Sequence, residues 1–455
     1  MDQAESEVFP KDIKWGAATA SYQIEGGAFE DGKGLSTWDA FSHRPGATYR
    51  GHNGDVACDH YHRWAEDVAL MKELGLKAYR LSISWPRVMP AGTGAINERG
   101  MEFYSRLIDS LLAAGIEPWV TLFHWDYPMD LYCRGGWLSP DSPQWFADYA
   151  RQMARRLGDR VRNWMTHNEP LCFIGTGHLE GRHAPGDKLG LKLMLQAGHN
   201  MFLAHGLAVQ ALRSDCPARP RVGIAQAACP KSPATESAAD IEAARTACFR
   251  MTDDSHWNNS WWSDPVCLGK YPEDGLKIYG DNAPKVGPDD MKIISQPLDF
   301  MGLNIYTHEV WRAGKDGRPE IVPMGVGAPL TAIRWPVQPE ALRWGPKFFH
   351  ERYKLPIAIT ENGMSGVDWV SLDGKVHDPQ RIDFLHRYLA QMEKAVDEGV
   401  PVEAYFQWSL MDNFEWANGY KERFGLIHVD YETLKRTPKD SFHWYKKVIA
   451  NNRLG

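Results

Sequence analysis

The chain has 455 residues, 43% of them hydrophobic and 24% charged, with a formal net charge of −7. That balance belongs to a water-borne globular protein with a large core. Acidic charge without a basic stripe argues against nucleic acid and anionic membrane as partners. No apolar run reaches bilayer length, and residues 1–14 lack the basic and apolar regions of a secretory signal, so a cytoplasmic protein is expected.

In chain order, short apolar, β-branched or aromatic segments predict strands at 13–20, 77–85, 117–125, 162–168, 221–227, 299–306, 356–361 and 402–409. Amphipathic helices separate them. In 64–74, Val68, Leu70, Met71 and Leu74 are expected on the buried side and Glu66, Asp67, Lys72 and Glu73 on the wet one, with Gly75 as the cap. Gly115 and Gly399 hold the same place before the third and eighth strands. Eight βα units without a composition break predict an α/β fold: one catalytic domain over 1–455, a (β/α)8 TIM barrel whose long βα loops form a pocket at the C-terminal face.

Segment 229–247, rich in Ala, Glu and Ser, reads as a surface helix with its loop, and the Gly- and Pro-rich segment 314–330 as a rim loop. The seven cysteines (58, 133, 172, 216, 229, 248 and 267) contain no Cys-x-x-Cys pair, so reduced thiols are expected rather than zinc or a disulfide framework. Asn258-Asn259-Ser260 matches a glycosylation sequon, for which chance is the better explanation without a secretion signal. The 19 Trp fit either a Trp-rich core or carbohydrate binding, because indole faces stack on the C–H faces of sugars.

Reacting groups in such barrels stand at the C-terminal strand ends. The fourth strand ends in Thr166-His167-Asn168-Glu169-Pro170 and the seventh in Ile359-Thr360-Glu361-Asn362-Gly363. One strand-end Glu reads as a cap or a salt bridge. Two of them, facing each other across a barrel, fit glycosidic cleavage: one carboxyl gives a proton to the leaving oxygen and the other attacks or stabilises the anomeric carbon. A separation of roughly 5–5.5 Å gives retention and a wider one inversion, and these residues alone leave both open.

These two motifs, with Ala20-Ser21-Tyr22-Gln23-Ile24-Glu25-Gly26, Tyr79-Arg80-Leu81-Ser82, Phe123-His124-Trp125-Asp126 and Asn304-Ile305-Tyr306, carry a resemblance over 9–445 to glycoside hydrolase family 1, the β-glucosidase family, in its bacterial form. The resemblance implies a retaining, exo-acting β-glucosidase that hydrolyses terminal non-reducing β-D-glucosyl residues through a covalent glycosyl-enzyme. β-D-fucosyl and β-D-galactosyl residues, and transglycosylation, stay open to the same chemistry. It makes Glu169 the acid/base and Glu361 the nucleophile, supported by Arg80, Asn304 and Tyr306. A guanidinium and a phenol beside Glu361 should favour its ionised form, and that charge should raise the pKa of Glu169.

By the same resemblance Gln23 and His124 bind sugar hydroxyls and Asn168 holds the 2-hydroxyl. Trp408 is the stacking floor, Glu415 and Trp416 hold the 4- and 6-hydroxyls, and Phe424 closes the apolar end. On the acceptor side Trp335 is the platform, while Leu171, Cys172 and His183 line the entrance. Leu171 stands where many bacterial relatives have Trp, and Tyr127 and Leu131-Tyr132-Cys133 also leave the common pattern.

Glu415, Glu422 and Phe424 replace the Ser, Lys and Tyr of phosphoglycoside-cleaving relatives, which argues against a phosphorylated sugar. Glu169 stands where thioglucoside-cleaving relatives have Gln. The implied partners are small β-glycosides such as cellobiose and aryl β-glucosides, with a place in cellulose degradation. No cofactor and no metal are implied, and a homo-oligomer is left open. Two alternatives stand beside this reading. A polysaccharide-cleaving enzyme of the same barrel clan is disfavoured by the Glu415-Trp416 loop, which closes the non-reducing end. A carbohydrate-binding protein with an idle site is disfavoured by the presence of both glutamates.

Overall fold

The computed structural model describes residues 9–454. Eight parallel strands close into a barrel: β1 (Lys14–Ala18), β2 (Ala78–Ser82), β3 (Glu117–Phe123), β4 (Asn163–Asn168), β5 (Arg221–Ala227), β6 (Met301–Asn304), β7 (Ile357–Asn362) and β8 (Val402–Trp408). Each falls on its predicted segment with its ends moved by a few residues. Neighbours follow sequence order, and β1 pairs with both β2 and β8 to close the ring. The interior is filled. Trp119 of β3 meets the rings of Phe300, just before β6, and Phe406 of β8 at centroid distances of 5.1 and 5.2 Å. Room for Phe406 exists because position 16 is Gly: a Cβ there would lie 2.5 Å from that ring.

The outer layer includes α1 (His60–Leu74), α2 (Glu98–Ala113), α3 (Ser142–Leu157), α4 (Leu191–Asp215), α5 (Ala238–Phe249), α6 (Ser260–Leu268), α7 (Ala341–Tyr353), α8 (Pro379–Asp397) and α9 (Asp440–Asn451). In α1 the apolar positions face inward as their spacing predicts, and Gly75 ends the helix at φ 83°. Asp67 does not follow the pattern. It is buried and accepts hydrogen bonds from Arg436 (2.9 and 3.0 Å) and the His60 ring (2.7 Å), an ion pair that offsets its desolvation.

Both connecting segments hold more order than expected. Lys231–Pro233, inside 229–247, and Pro319–Val322, inside 314–330, flank Glu309–Ala313 in a three-stranded sheet. All seven cysteines are unpaired. Among the described residues no helix is long and apolar enough to cross a membrane.

Candidate active site

Two irregularities in the barrel aim the glutamates. The β4–β5 register shifts between Met165 and Asn168, and the β6–β7 register shifts between Ile359 and Glu361. Such bulges re-aim side chains at barrel rims. Glu169 takes a left-handed backbone (φ 52°) while its N–H still bonds Ala225 O at 2.8 Å, a conformation that costs a non-glycine residue about 1 kcal/mol or more. The chain then enters a wide π-helical segment, Leu171–Leu179. After Glu361, the end of β7 passes so close to β8 that a Cβ on Gly363 would stand 1.9 Å from Trp408 O. Only glycine fits there.

A buried polar web ties the two strand ends together. Arg80 donates to Glu361 Oε1 at 2.6 Å, to Thr360 O at 3.1 Å and to Asn168 Oδ1 at 2.6 Å. Tyr306 OH donates to Glu361 Oε2 at 2.6 Å. Asn304 Nδ2 donates to Glu169 Oε1 at 2.9 Å and to Asn168 Oδ1 at 3.0 Å, its own Oδ1 is fixed by Thr360 Oγ1 at 2.6 Å, and its side chain also stands beside Glu361. One amide group therefore borders both carboxyls.

Burial raises both acids, and the environments then diverge. Glu169 is pushed up to about 7, by burial first and by the Glu361 charge second. Glu361 is also raised by burial, against the downward pull of Arg80 and Tyr306. This corrects the expectation in two respects: the opposite charge is not the main reason for the Glu169 shift, and the guanidinium moderates the effect of burial on Glu361 without cancelling it.

The deep end of the pocket is aromatic and sparingly polar. Asn168 Oδ1 is occupied by Arg80 and Asn304, so its Nδ2 is the group facing His124 Nε2 at 3.0 Å. That assigns the neutral ring's proton to Nδ1, which has no protein partner among the described residues. Burial and Arg80 keep His124 well below the usual histidine range. Gln23 commits Nε2 to Asn413 Oδ1 (3.0 Å) and Phe414 O (2.9 Å), while its buried Oε1 is likewise unpartnered. Trp408 lies nearly parallel to the His124 ring at 5.9 Å. Trp416 packs on Trp125 (4.5 Å) and Trp38 (4.7 Å), and Phe424 meets Tyr306 at 6.1 Å.

Glu415 is pushed up to about 8 by burial and then by the Glu361 charge. Around neutrality it is largely a neutral acid, so its case against phosphate rests on supplying no cation rather than on repulsion alone. The loop carrying Glu415, Trp416 and Phe424 is anchored at Asp412. That buried carboxylate pairs with Lys439 (2.7 Å) and Arg423 (2.6 Å), and Lys439 pairs in turn with Asp368 (2.6 Å).

Above this floor opens a cavity of about 710 Å³, the size of a small-molecule site. Trp335 lines it, leaning on Tyr306 at 5.0 Å, and Cys172 and His183 line it as expected. Leu171 does not. The π-helical turn after Pro170 directs it into the core, where it is fully buried. Tyr127 is also behind the wall, packed on Trp137 (4.8 Å) and Trp85 (5.3 Å). Sequence reasoning missed Trp125, Thr176, Arg182, Lys231, Trp257 and His308, which line the same cavity. Trp125 had a signal, because it completes the Phe123-His124-Trp125-Asp126 motif; its φ is 81° and its Nε1 donates to Asn168 O at 2.9 Å.

A closed (β/α)8 barrel with two buried glutamates at the ends of β4 and β7 is the architecture of a glycoside-cleaving barrel enzyme. The Glycosyl hydrolase family 1 profile matches residues 5–454. Beta-glucosidase A of Thermotoga maritima is 44% identical over 98% of both chains, and Beta-glucosidase A of Acetivibrio thermocellus 45% over 98% of both. A bifunctional beta-D-glucosidase/beta-D-fucosidase of Bifidobacterium breve is 38% identical over 98% of this chain and 99% of its own. The solved family 1 β-glucosidase of T. maritima superposes with a TM-score of 0.90 at 44% identity, covering 99% of this chain and 100% of that one. The chain belongs to glycosyl hydrolase family 1.

Proposed function

We propose that the chain is a retaining, exo-acting β-glucosidase, one catalytic domain working in the cytoplasm on terminal β-D-glucosyl residues of cellobiose and aryl β-glucosides from cellulose breakdown. The observation that carries it is the division between two buried carboxyls. Glu361 is gripped by Arg80 and Tyr306, whereas Glu169, at about 7, meets the Asn304 amide and the Cys172 thiol, both of them uncharged donors. An amide shared by both acids supports the close spacing of a retaining site.

In the first step a Glu361 oxygen attacks the anomeric carbon while Glu169 gives its proton to the departing oxygen. Forming the ester removes the Glu361 charge, the second cause of the raised Glu169 pKa, so Glu169 becomes a better-ionised base for the incoming water. A carbohydrate acceptor in place of that water gives transglycosylation. Asn168, oriented by Arg80 and Asn304, faces the 2-hydroxyl, where a hydrogen bond strengthens at the oxocarbenium-like transition state. The unpartnered His124 Nδ1–H and Gln23 Oε1 supply a donor and an acceptor for further hydroxyls. Trp408 offers a stacking face, and Glu415 with Trp416 takes the far edge of the ring. β-D-fucosides, which lack the 6-hydroxyl, and β-D-galactosides share these contacts in part.

The test is chemical rescue. Azide added to Glu169→Ala should yield a β-glucosyl azide from an activated glucoside. An α-azide, or no rescue with activity retained, would overturn the assignment.

A further inference from the structure

Gln23 and His124 follow different strands, β1 and β3, and each keeps one buried polar atom without a protein partner among the described residues, Oε1 and Nδ1 respectively. Side chains join their two segments. Ser21 opens the short helix Ser21–Ile24 that carries Gln23, and its N–H donates to Ser82 Oγ of β2 at 2.7 Å. Ser82 Oγ donates to Ser21 Oγ at 3.0 Å, and Ser21 Oγ donates to Asp126 Oδ2, also at 3.0 Å. Asp126 lies two residues after His124, across the left-handed Trp125. Hydroxyls that donate in one direction polarise one another, so the row Ser82, Ser21, Asp126 is a cooperative tie across the ends of β1, β2 and β3.

A carboxyl is a costly group for that joint. Asp126 is buried, and its Oδ1 has no protein partner among the described residues. Burial, against the hydroxyls of Ser84 and Ser21, pushes it up to about 7. Lys33 pulls it down, but that ammonium is already paired with Asp39 at 2.7 Å. An acid buried without an ion pair of its own lowers stability, and acids perturbed in this way gather at functional sites. His124 and Trp125 line the cavity and Asp126 does not, so its part in recognition passes through its neighbours. A supporting shell of this kind matters because a reacting sugar misplaced by about 1 Å loses on the order of 100-fold in rate.

We infer that Asp126 is a positioning residue: through Ser21 it clasps the Gln23 segment to the His124 segment, so that the two side chains meet the sugar as one preset acceptor–donor pair. This rests on the β-glucosidase reading above. The experiment measures kcat/KM on 2,4-dinitrophenyl β-glucoside for the wild type, Asp126→Asn, Asp126→Ala and Ser21→Ala. Asp126→Ala and Ser21→Ala are also placed in a Gln23→Ala/His124→Ala background. Asp126→Ala should lose about 20-fold or more, and Ser21→Ala about fivefold. Asp126→Asn should stay within about threefold of the wild type, because the amide oxygen accepts the same Ser21 hydrogen bond. In the background lacking both sugar ligands, Asp126→Ala should cost less than about threefold, the non-additivity expected of groups that act as one unit. The same full loss in that background overturns the inference, since a merely structural residue would act whether or not Gln23 and His124 were present. Asp126→Asn as poor as Asp126→Ala also overturns it, in favour of a role for the charge itself. If Asp126→Ala does not fold, Ser21→Ala decides by the same comparison: its loss should vanish in the background, and a loss that persists there overturns the clasp. A wild type that does not hydrolyse the glucoside overturns the β-glucosidase reading, and this inference with it.

Discussion

Replacing Glu361 with Gln removes the anion opposite Glu169 at nearly constant shape. Two like charges ~5.5 Å apart at an effective dielectric of ~20 repel by about 3 kcal/mol, an upper bound of roughly two pH units. Burial is the larger cause of the Glu169 shift, so the charge accounts for a smaller part, and a fall of about one pH unit is expected. Arg80, losing its carboxylate partner, acts in the same direction. The assay is carbon NMR of protein labelled at the glutamate carboxyls, with Glu169→Gln identifying the resonance. The wild-type midpoint should lie near 7, and the Glu361→Gln midpoint about one pH unit lower. A midpoint that stays in place or rises would refute the coupling by which Glu169 changes from acid to base.

Tyr306→Phe removes a charge-assisted hydrogen bond of about 1.5–3 kcal/mol, which predicts a roughly 10- to 100-fold loss of kcat/KM. The acid limb of its pH–rate profile should move upward, because Glu361 loses one of the groups holding its pKa down. Glu169 also leaves a mark on stability. Its folded pKa is raised, so its stabilising effect is complete below the unfolded value and is lost as pH climbs from about 4.5 through about 7, roughly 3 kcal/mol in all. Glu169→Gln should flatten that part of a plot of denaturant midpoint against pH, and an unchanged slope would count against the raised pKa. Lys439→Met leaves Asp412 and Asp368 short of a buried cation, which should cost about 3 kcal/mol in denaturant unfolding. Because Asp412 anchors the loop bearing Glu415 and Trp416, KM should rise in the same variant.

The barrel was legible because its strands are short apolar runs and its helices carry a clean 3.6-residue stripe, both local signals. Glu169 and Glu361 were legible because each ends such a run before Pro170 or Asn362-Gly363. What failed was set by partners distant in sequence. Asp67 reads as a wet-face residue until Arg436, 369 positions away, packs against it. Leu171 lies two positions after Glu169, yet a π-helical turn with no sequence signature carries it inward. Burial, the main influence on both glutamates, depends on the whole fold, so the net titration of Glu361 could not be read from Arg80 and Tyr306 alone.

On the proposed mechanism, Glu361 forms the covalent bond to the sugar. Incubation with an activated 2-deoxy-2-fluoro-β-D-glucoside, followed by digestion and mass spectrometry, tests it directly. One fluoroglucosyl group per chain is expected, carried on the peptide containing Thr360-Glu361-Asn362. A label on the Glu169 peptide, or turnover with no trapped ester, would contradict it.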